Sequence, residues 1–165
     1  MLIKTFKTLR SFIFTTIAKK SIGDMNAEIK ANGFTRLTKY ATVGNNVNFN
    51  GLKILGRGKV EIGDNFHSGF GCLILTGVHN YNGSKIPYDE VTIYKNVKIH
   101  DNVWLGINVT ILPGVTIGEG AIIQAGSVVV KSIPPYSIAG GHPAIVFNMR
   151  NIDSYNHLKR KKKFF

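Results

Sequence analysis

His79 is the side chain best suited to chemistry in this sequence. It lies in the segment TGVHNYNGSKIPYDE (76–90), which follows the apolar run Leu73–Leu75 and is rich in polar residues and turn formers. Functional groups are often carried on loops that leave a rigid scaffold. An imidazole near neutral pH can act as a general base that accepts the proton of an attacking hydroxyl or amine. The alternative interpretation is an ordinary surface histidine.

The acid that would orient this imidazole is left unassigned. Asp89 and Glu90 close the same segment, and Asp64 precedes it. A residue from a neighbouring subunit is a further option.

The other histidines and the single cysteine do not form a metal-binding set. His67 and His100 occupy turn-like positions where solvated side chains are expected, His142 stands in a turn, and His157 lies in a basic run. Cys72 lies in an apolar run and is expected to be a small buried hydrophobic residue. Zinc needs three or four clustered ligands, and no His-x-x-x-x-His pair occurs. No metal is therefore expected.

The strongest pattern is a repeat of six residues. Stepping by six from residue 93 gives only aliphatic residues: Ile93, Ile99, Leu105, Ile111, Ile117, Ile123 and Val129. A second series, four places later, is apolar or small throughout: Val97, Val103, Val109, Val115, Ala121, Ser127 and Ile133. Neither an α-helix, with period 3.6, nor a simple strand, with period 2, places apolar residues in this way.

A chain that turns a corner every six residues explains this pattern. Three short strands complete one coil of a triangular prism, and successive coils stack in parallel with both apolar series inside. Residues that tolerate unusual backbone conformations stand between the inward positions, among them Asn102, Asn108 and Gly114. The same pattern is weaker upstream, and the coils are predicted to begin near residue 41.

The length of 165 residues supports one domain with three parts. We expect an N-terminal helical cap and lead-in over 1–40, and a coiled catalytic domain over 41–147 with a loop at 76–92 that projects from it. A basic tail is expected over 148–165. The predicted fold is therefore all-β apart from the short N-terminal helix. No stretch of the sequence is apolar enough to cross a bilayer, and a cytoplasmic protein is expected.

Positive charge is concentrated at the two ends of the chain. Lys and Arg number 21 against nine Asp and Glu, which gives a formal charge of +12 and favours anionic partners. Because no aromatic residues are interleaved with the basic residues inside the C-terminal run, specific binding to nucleic acid is not expected.

The N-terminal residues have the spacing of an amphipathic helix. The apolar positions recur three and four residues apart: Leu2, Phe6, Leu9, Ile13 and Ile17. The preferred interpretation is a helix that covers the open end of the core. The alternative is a helix that rests on an anionic membrane surface.

Residues 103–143, VWLGINVTILPGVTIGEGAIIQAGSVVVKSIPPYSIAGGHP, resemble the hexapeptide-repeat acetyltransferases. The resemblance is greatest to the branch that acts on sugars, which includes maltose, galactoside, O-antigen and capsule O-acetyltransferases. It implies a left-handed parallel β-helix, assembly as a homotrimer, and acetyl-CoA as cosubstrate. It also implies that the cosubstrate and the acceptor meet in clefts between adjacent prisms, with His79 as the general base.

The resemblance implies roles for the turn that follows Val103. The backbone N–H of Ile107 would stabilise the oxyanion formed during acetyl transfer. Gly106 belongs to the same cofactor turn, and Trp104 would pack beside the acetyl group and the pantetheine arm. An aromatic residue at the subunit interface is the alternative for Trp104.

The rest of the cofactor site is implied further along the chain. One turn would let the pantetheine arm run close to the prism: Ala125, Gly126 and Ser127. Lys131 stands where relatives contact a phosphate. The sequence departs from the family pattern at Ile145, where relatives usually carry Lys or Arg. Arg150 and the basic run after it would supply this charge instead.

The predicted function is transfer of an acetyl group from acetyl-CoA to a hydroxyl of a sugar in a bacterial surface glycan or its precursor. The alternatives are N-acetylation of an amino sugar nucleotide, acetylation of an amino or hydroxyl antibiotic, and a non-catalytic scaffold. The short loop around His79 disfavours an antibiotic-modifying enzyme, and the retained base and cofactor turn disfavour a scaffold. A zinc-dependent carbonic anhydrase on the same prism is disfavoured by the lack of a histidine pair.

Overall fold

Short parallel strands stacked into a three-faced solenoid make up most of the protein. The computed structural model describes residues 2–22, 24 and 27–165. Face 1 is a sheet of seven strands, in the spatial order β1 (Ile29–Gly33), β3 (Val47–Asn50), β6 (His67–Phe70), β11 (Trp104–Leu105), β14 (Ile122–Ile123), β16 (Ser137–Gly141) and β17 (Ala144–Met149). Its first six strands are parallel, and β17 is antiparallel to β16.

The other two faces are four-stranded parallel sheets. Face 2 contains β2 (Ala41–Val43), β5 (Val60–Ile62), β10 (Val97–Ile99) and β13 (Thr116–Ile117). Face 3 contains β4 (Lys53–Leu55), β7 (Leu73–Leu75), β12 (Thr110–Ile111) and β15 (Val128–Val129). The chain visits faces 2, 1 and 3 in turn, so β10, β11 and β12 form one coil. We name each edge of the prism by the faces that meet there: the 2/1, 1/3 and 3/2 corners.

The six-residue repeat builds the interior, as predicted. Every member of the second series is buried, and so are the members of the first series from Ile99 to Val129. Strand pairing places each residue over its counterpart in the next coil, for example Ile99 beside Ile117 and Leu105 beside Ile123. Cys72 is buried as well. Burial of these ladders supplies the main driving force for the stacked coil.

Ile93 is an exception, and its predicted inward position is wrong. It is 40% exposed and lies in β9 (Thr92–Tyr94), which pairs antiparallel with β8 (Gly77–His79). These two strands form a hairpin within the segment that leaves the solenoid between β7 and β10. The six-residue spacing between Ile93 and Ile99 is therefore a coincidence, because Ile93 belongs to this hairpin and not to a coil.

The solenoid begins earlier in the sequence than residue 41. β1 pairs in parallel with β3, with Ile29 beside Val47 and Ala31 beside Phe49. The inward residues of this first strand are Ile29 and the small Ala31, which do not continue the aliphatic six-residue pattern. The first coil could not be predicted because its sequence lacks the regular six-residue spacing of aliphatic residues.

Asparagine residues form a ladder along the 2/1 corner. Asn46, Asn65 and Asn102 all have positive φ, between 54° and 60°, a conformation that asparagine tolerates better than most residues. The Nδ2 of Asn46 donates to Oδ1 of Asn65, and Nδ2 of Asn65 donates to Oδ1 of Asn102, both at 2.9 Å. These side-chain hydrogen bonds thus link successive coils at the corner, where the backbone pairing of the strands is interrupted.

An N-terminal helix, α1 (Leu2–Ile22), covers the open edge of face 1 at β1. Ala31 donates its N–H to Oγ1 of Thr15 (2.9 Å), and its carbonyl accepts from the Ser11 hydroxyl (3.1 Å). Leu37 donates its N–H to Oγ of Ser21 (3.2 Å), and Ala18 is fully buried. The helix therefore caps the solenoid, as the preferred interpretation holds.

The face of α1 that packs on the core differs from the expected one. Phe6, Leu9, Ile13 and Ile17 were expected to face inwards but are 37–70% exposed, while the side chain of Leu2 lies outside the described ones. The edge of a sheet presents unpaired backbone N–H and C=O groups, and small polar side chains satisfy them better than aliphatic ones. Within the described residues, no helix is both long enough and apolar enough to cross a lipid bilayer.

The C-terminal residues form a helix where a basic tail was expected. α2 (Ile152–Arg160) follows β17 and has Asn151 as its N-cap, with Oδ1 accepting from the Ser154 N–H at 2.9 Å. Asp153 lies in the first turn, where a negative charge is favourable. This capping signal is visible in the sequence, but the run of basic residues that follows obscured it.

Candidate functional site

The predicted oxyanion turn lies at the 1/3 corner, and it is packed directly on the turn of the next coil. Gly106 lies so close to that turn that a Cβ added to it would lie 2.5 Å from the backbone nitrogen of Ala125. The Gly126 N–H donates to the carbonyl of Ile107 at 2.8 Å. Glycine at position 106 is therefore required for the two turns to stack.

The backbone N–H of Ile107 is available to a ligand. The flanking residues use their N–H groups within the solenoid: Gly106 donates to Ile123 (2.8 Å) and Asn108 donates to Phe70 (2.8 Å). Within the described part of the chain, the Ile107 N–H donates to no acceptor, and the residue is 52% exposed. A fixed, unused donor at an exposed corner is what stabilisation of a developing oxyanion requires.

At the next turn along this corner, a ligand would meet backbone groups and not side chains. Ala125 and Gly126 are exposed, and no atom lies within 4 Å of the position that a Cβ on Gly126 would occupy. Ser127 is fully buried, and its hydroxyl donates to the Gln124 carbonyl (2.7 Å) and accepts from the Gly141 N–H (3.2 Å). Ser127 thus holds the turn in shape, and an extended ligand could run along Ala125 and Gly126.

His79 lies on the projecting segment at the 3/2 corner. It is the last residue of β8, its ring is exposed, and it stacks on Tyr88 with ring centroids 3.9 Å apart and planes 10° from parallel. Neither ring nitrogen has a hydrogen-bond partner among the described residues. The imidazole is therefore positioned by stacking, with both nitrogens open to a substrate.

Among the described residues, none of the three candidate acids is hydrogen-bonded to the imidazole. Asp89 braces the loop, because its carboxylate accepts from Asn80 Nδ2 and the Val91 N–H, both at 2.9 Å. Glu90 pairs with Lys85, and this hydrogen bond holds the pKa of Glu90 below its usual value. Asp64 accepts from the Asn45 N–H (2.7 Å). Within the described chain, no carboxylate orients His79.

The two basic residues predicted to hold phosphates lie at different corners. Lys131 is exposed in the turn after β15, at the same 3/2 corner as His79. Arg150 lies at the 2/1 corner, where its Nε donates to the Gly120 carbonyl at 2.6 Å and its guanidinium packs over the ring of Tyr155. Burial lowers the pKa of Arg150. Arg150 therefore anchors the C-terminal segment, and the structure does not bring it to Lys131.

A groove of about 770 Å³ runs between face 1 and α2, and sequence reasoning did not reveal it. Trp104 lines it and is 50% exposed. His67 also lines it and is half-buried, so the expectation of a solvated side chain is wrong. Burial lowers the pKa of His67, and its Nδ1 has no partner among the described residues. The groove depends on α2, whose position the repeat pattern does not predict.

Four side chains fasten α2 to the solenoid. The Tyr155 hydroxyl donates to Oε1 of Glu119 (2.8 Å) and accepts from Nδ2 of Asn102 (2.7 Å), and Lys159 pairs with the same Glu119 oxygen. Burial raises the pKa of Glu119, but hydrogen bonds from Lys159 and Tyr155 outweigh it, and the net shift is downward. The same ion pair raises the pKa of Lys159, and burial raises that of Tyr155.

These shifts predict that acid weakens the docking of α2. Because folding lowers the pKa of Glu119, its contribution is present above the unfolded pKa and is lost as pH falls through the folded pKa. We expect Glu119→Gln to cost about 1 kcal/mol of unfolding free energy at neutral pH and less at about pH 3. Urea unfolding at both pH values measures this difference.

The matched control for this prediction is Glu61→Gln. Glu61 lies 3.3 Å from Lys98 in a pair that is about half exposed on both sides. The control should unfold like the wild type at both pH values. Equal pH dependence in Glu119→Gln and the wild type would contradict the assigned network.

One chain does not bring all the predicted site residues together. Ile107 and Ala125 lie at the 1/3 corner, whereas His79 and Lys131 lie at the 3/2 corner, and face 3 separates the two. Trp104 lies on face 1, beside the 1/3 corner. The described residues include no group of three or more His, Cys, Asp or Glu side chains that could hold a metal ion.

Comparison with known proteins identifies the repeat. Residues 96–131 match the family model for the bacterial transferase hexapeptide, six repeats. This region spans β10 to the turn after β15, where both apolar series are buried. Residues 96–131 therefore carry the hexapeptide repeat of bacterial transferases. The resemblance on which the sequence analysis rested is therefore confirmed.

Solved structures similar to this chain include acetyltransferases. A hexapeptide-repeat acetyltransferase from Vibrio cholerae is 28% identical, with a TM-score of 0.69, over 79% of this chain and 76% of that one. A maltose O-acetyltransferase from Clostridium difficile 630 is 35% identical, with a TM-score of 0.60, over 73% of this chain and 63% of that one. A galactoside acetyltransferase in complex with coenzyme A is 25% identical, with a TM-score of 0.65, over 90% and 84%.

The Vibrio cholerae protein has also been solved in complex with acetyl coenzyme A; that structure is 31% identical, and the present chain spans 63% of it. No curated protein sequence matches this hexapeptide-repeat chain at a significant level.

Proposed function

We propose that the protein transfers an acetyl group from acetyl-CoA to a hydroxyl of a sugar, in a bacterial surface glycan or its precursor. Two features of the solenoid carry this proposal. The imidazole of His79 is exposed on the large segment that leaves the hexapeptide repeats, and the backbone N–H of Ile107 has no acceptor among the described residues. The similar maltose O-acetyltransferase and galactoside acetyltransferase support a sugar as acceptor. A cytoplasmic location, where acetyl-CoA is available, is part of the proposal.

In this mechanism, His79 accepts the proton of the sugar hydroxyl as its oxygen attacks the thioester carbonyl. The Ile107 N–H donates to the oxyanion that forms, and Trp104 packs beside the acetyl group. A new C–O bond then replaces the C–S bond. The proton held by the imidazole passes to the departing thiolate, which leaves as free coenzyme A. No charge is left on the enzyme at the end of the cycle.

The cofactor residues fit a long, phosphorylated ligand. The exposed backbone at Ala125 and Gly126 would carry the pantetheine arm along the 1/3 corner, with Gly106 keeping the stacked turns close together. Lys131 is exposed and would pair with a phosphate. Arg150 contributes indirectly, by holding the C-terminal segment at Gly120.

We propose further that the protein acts as a homotrimer. The two halves of the site lie at different corners of one prism, so a neighbouring prism must bring its 3/2 corner to the 1/3 corner of this one. Such a contact joins different surfaces of identical chains, and it closes into a ring when the rotation between neighbours divides a full turn. A three-sided prism suits a ring of three, with one complete site at each contact.

The three parts of the chain would then divide their roles. The region 41–147, with its loop at 76–92, carries the catalytic groups. The region 1–40 closes the solenoid with α1 and its first strand, and 148–165 covers face 1.

The decisive experiment incubates the purified protein with acetyl-CoA and a panel of acceptors. We expect release of free thiol with sugars or glycan precursors that carry hydroxyls, and little with amino sugar nucleotides or amino antibiotics. We also expect coenzyme A to raise the thermal unfolding midpoint of the protein, because a ligand that binds only the folded state stabilises it. A protein that is not stabilised by coenzyme A and turns over no acceptor would be a scaffold.

Variants of Ala125 separate cofactor binding from folding. Ala125 is exposed at the corner along which the arm would run, so Ala125→Tyr should block the arm and leave the interior intact. We expect the affinity for coenzyme A to fall at least about tenfold, which is about 1.4 kcal/mol. Ala125→Ser is the matched control and should bind like the wild type. Normal binding by Ala125→Tyr would show that the cofactor follows another path.

A further inference from the structure

Five apolar residues of the α1 helix are exposed. Phe6 and Phe12 are 70% and 69% exposed, and Leu9, Ile13 and Ile17 are 56%, 46% and 37% exposed. We call these five residues the α1 stripe. Exposed apolar residues are common singly, but a contiguous set on one helix marks an interaction surface.

The packing of α1 on its own domain does not account for the stripe. Other residues of α1 contact the solenoid: Ser11, Thr15 and Ser21 form hydrogen bonds with it, and Phe14, Ala18 and Ile22 pack against its core. At 100° per residue, Leu9 and Ile13 lie on the opposite side of the helix from Thr15 and Ala18. The stripe therefore needs a partner outside this chain.

The same helix is strongly basic. The helix sequence contains five basic residues and no acidic ones. Lys7, Arg10 and Lys20 are exposed. Exposed apolar residues together with Lys and Arg on one helix favour binding to the interface of an anionic membrane.

The C-terminal run adds charge at the same end of the prism. Tyr155 contacts Glu119, far along the solenoid, whereas the carbonyl of Phe165 accepts from Asn46 Nδ2 at 2.9 Å. Asn46 directly precedes β3, which pairs with the β1 strand that α1 covers. The segment after α2 therefore runs back towards α1 and brings the exposed Lys161, Lys162 and Lys163 with it. Two segments from opposite ends of the sequence thus make one end of the prism both basic and apolar.

We propose that this end of the prism docks on an anionic phospholipid surface, with the α1 stripe inserted at the headgroup boundary and the lysines of both termini facing the headgroups. A second copy of the chain fits this surface less well. Two α1 helices packed on each other would bring like charges together, with no acidic residue on either helix to offset them. A lipid surface supplies both the apolar depth and the negative charge.

Docking would be strengthened in a cyclic assembly. Rotation about a symmetry axis leaves every α1 at the same level along that axis. Several helices could then engage one membrane together, which raises the overall affinity without new contacts. The inference does not depend on acetyl transfer, and it holds for any reaction at the site.

The test is flotation of the full-length protein with vesicles of pure phosphatidylcholine and of phosphatidylcholine with about 30% phosphatidylglycerol. We expect the protein to float with the anionic vesicles and to remain behind with the neutral ones. Raising the salt concentration should weaken the binding, because it screens the lysines. Failure of the wild type to float with anionic vesicles at low salt would overturn the proposal.

Two multiple variants test the two parts of the surface. Phe6→Ser/Leu9→Ser/Ile13→Ser removes most of the stripe, and Lys161→Gln/Lys162→Gln/Lys163→Gln removes charge. Each should reduce vesicle binding at least about tenfold. All six residues are exposed, so circular dichroism and the thermal unfolding midpoint should match the wild type.

A control variant carries the same number of apolar-to-serine changes elsewhere. Ile86, Ile145 and Phe147 are 98%, 66% and 53% exposed and lie outside α1, and their serine variant should float like the wild type. Two results would sink the proposal. One is full vesicle binding by the stripe variant, which would mean charge alone attracts the chain. The other is a stripe variant whose oligomeric state changes without lipid, which would make a second copy the partner.

Discussion

Replacing His79 with alanine should lower kcat/KM for acetyl transfer by about 10²- to 10⁴-fold, the usual contribution of a general base. The imidazole is exposed and stacked on Tyr88, so its removal leaves the hexapeptide interior untouched. The unfolding midpoint, and its increase on addition of coenzyme A, should therefore be the same in the variant and the wild type. Steady-state kinetics with the best acceptor of the panel measures the loss.

His100→Ala is the matched control for this prediction. His100 is also exposed and lies in a turn at the 2/1 corner, but it is not on the projecting segment. We expect this variant to keep the activity of the wild type. If His79→Ala keeps full turnover, the base has been assigned to the wrong residue, and the half-buried His67 in the groove on face 1 becomes the next candidate.

The interior of the solenoid could be predicted from the sequence because it repeats. Each position from Ile99 to Ile123 in the first series lies over a counterpart eighteen residues away, so a single geometric rule accounts for all of them. Ile93 obeys the same spacing but belongs to the β8–β9 hairpin. Spacing alone cannot mark where the chain leaves the stack, since an aliphatic residue in a hairpin strand has the same character as one in a coil.

The ends of the solenoid were harder to predict. The spacing of apolar residues in α1 predicted an amphipathic helix, and the apolar residues of such a helix usually face the core. This rule assigned the wrong side of α1 to the core. The edge of β1 offers backbone groups that must be hydrogen-bonded, so Ser11 and Thr15 face it. At the other end, α2 is held by Tyr155 and Glu119, whose contact joins residues 36 apart and leaves no periodic signal.

The candidate site was predicted as a set of residues, and the topology explains their arrangement. His79 and Ile107 are separated by the strands of face 3, which the six-residue rule already places between them. The same rule stacks Gly106 beneath Ala125 and turns Ser127 inwards. The role of Arg150 could not be predicted in this way, because it lies after the repeat and its partner Gly120 is 30 residues away in the sequence. The site residues themselves remain a prediction for the kinetic tests.

Replacing Ile117 with alanine should destabilise the protein by about 2–5 kcal/mol, the usual cost of truncating a fully buried isoleucine. Ile117 is fully buried and lies beside Ile99 of the neighbouring coil, so alanine leaves a cavity between two coils. The rigid backbone ladder on either side keeps the coils from closing over that cavity. Chemical unfolding at a fixed protein concentration measures the effect, because assembly would otherwise shift the midpoint.

Ile93→Ala provides a comparison at the same six-residue spacing. Ile93 is 40% exposed in the hairpin outside the stack, so the same truncation should cost less than about 1 kcal/mol. Comparing the two variants therefore distinguishes a residue that lies in the interior from one that only shares the six-residue spacing. A loss at Ile93 as large as that at Ile117 would mean that the hairpin is part of the core and that His79 is carried by the solenoid itself.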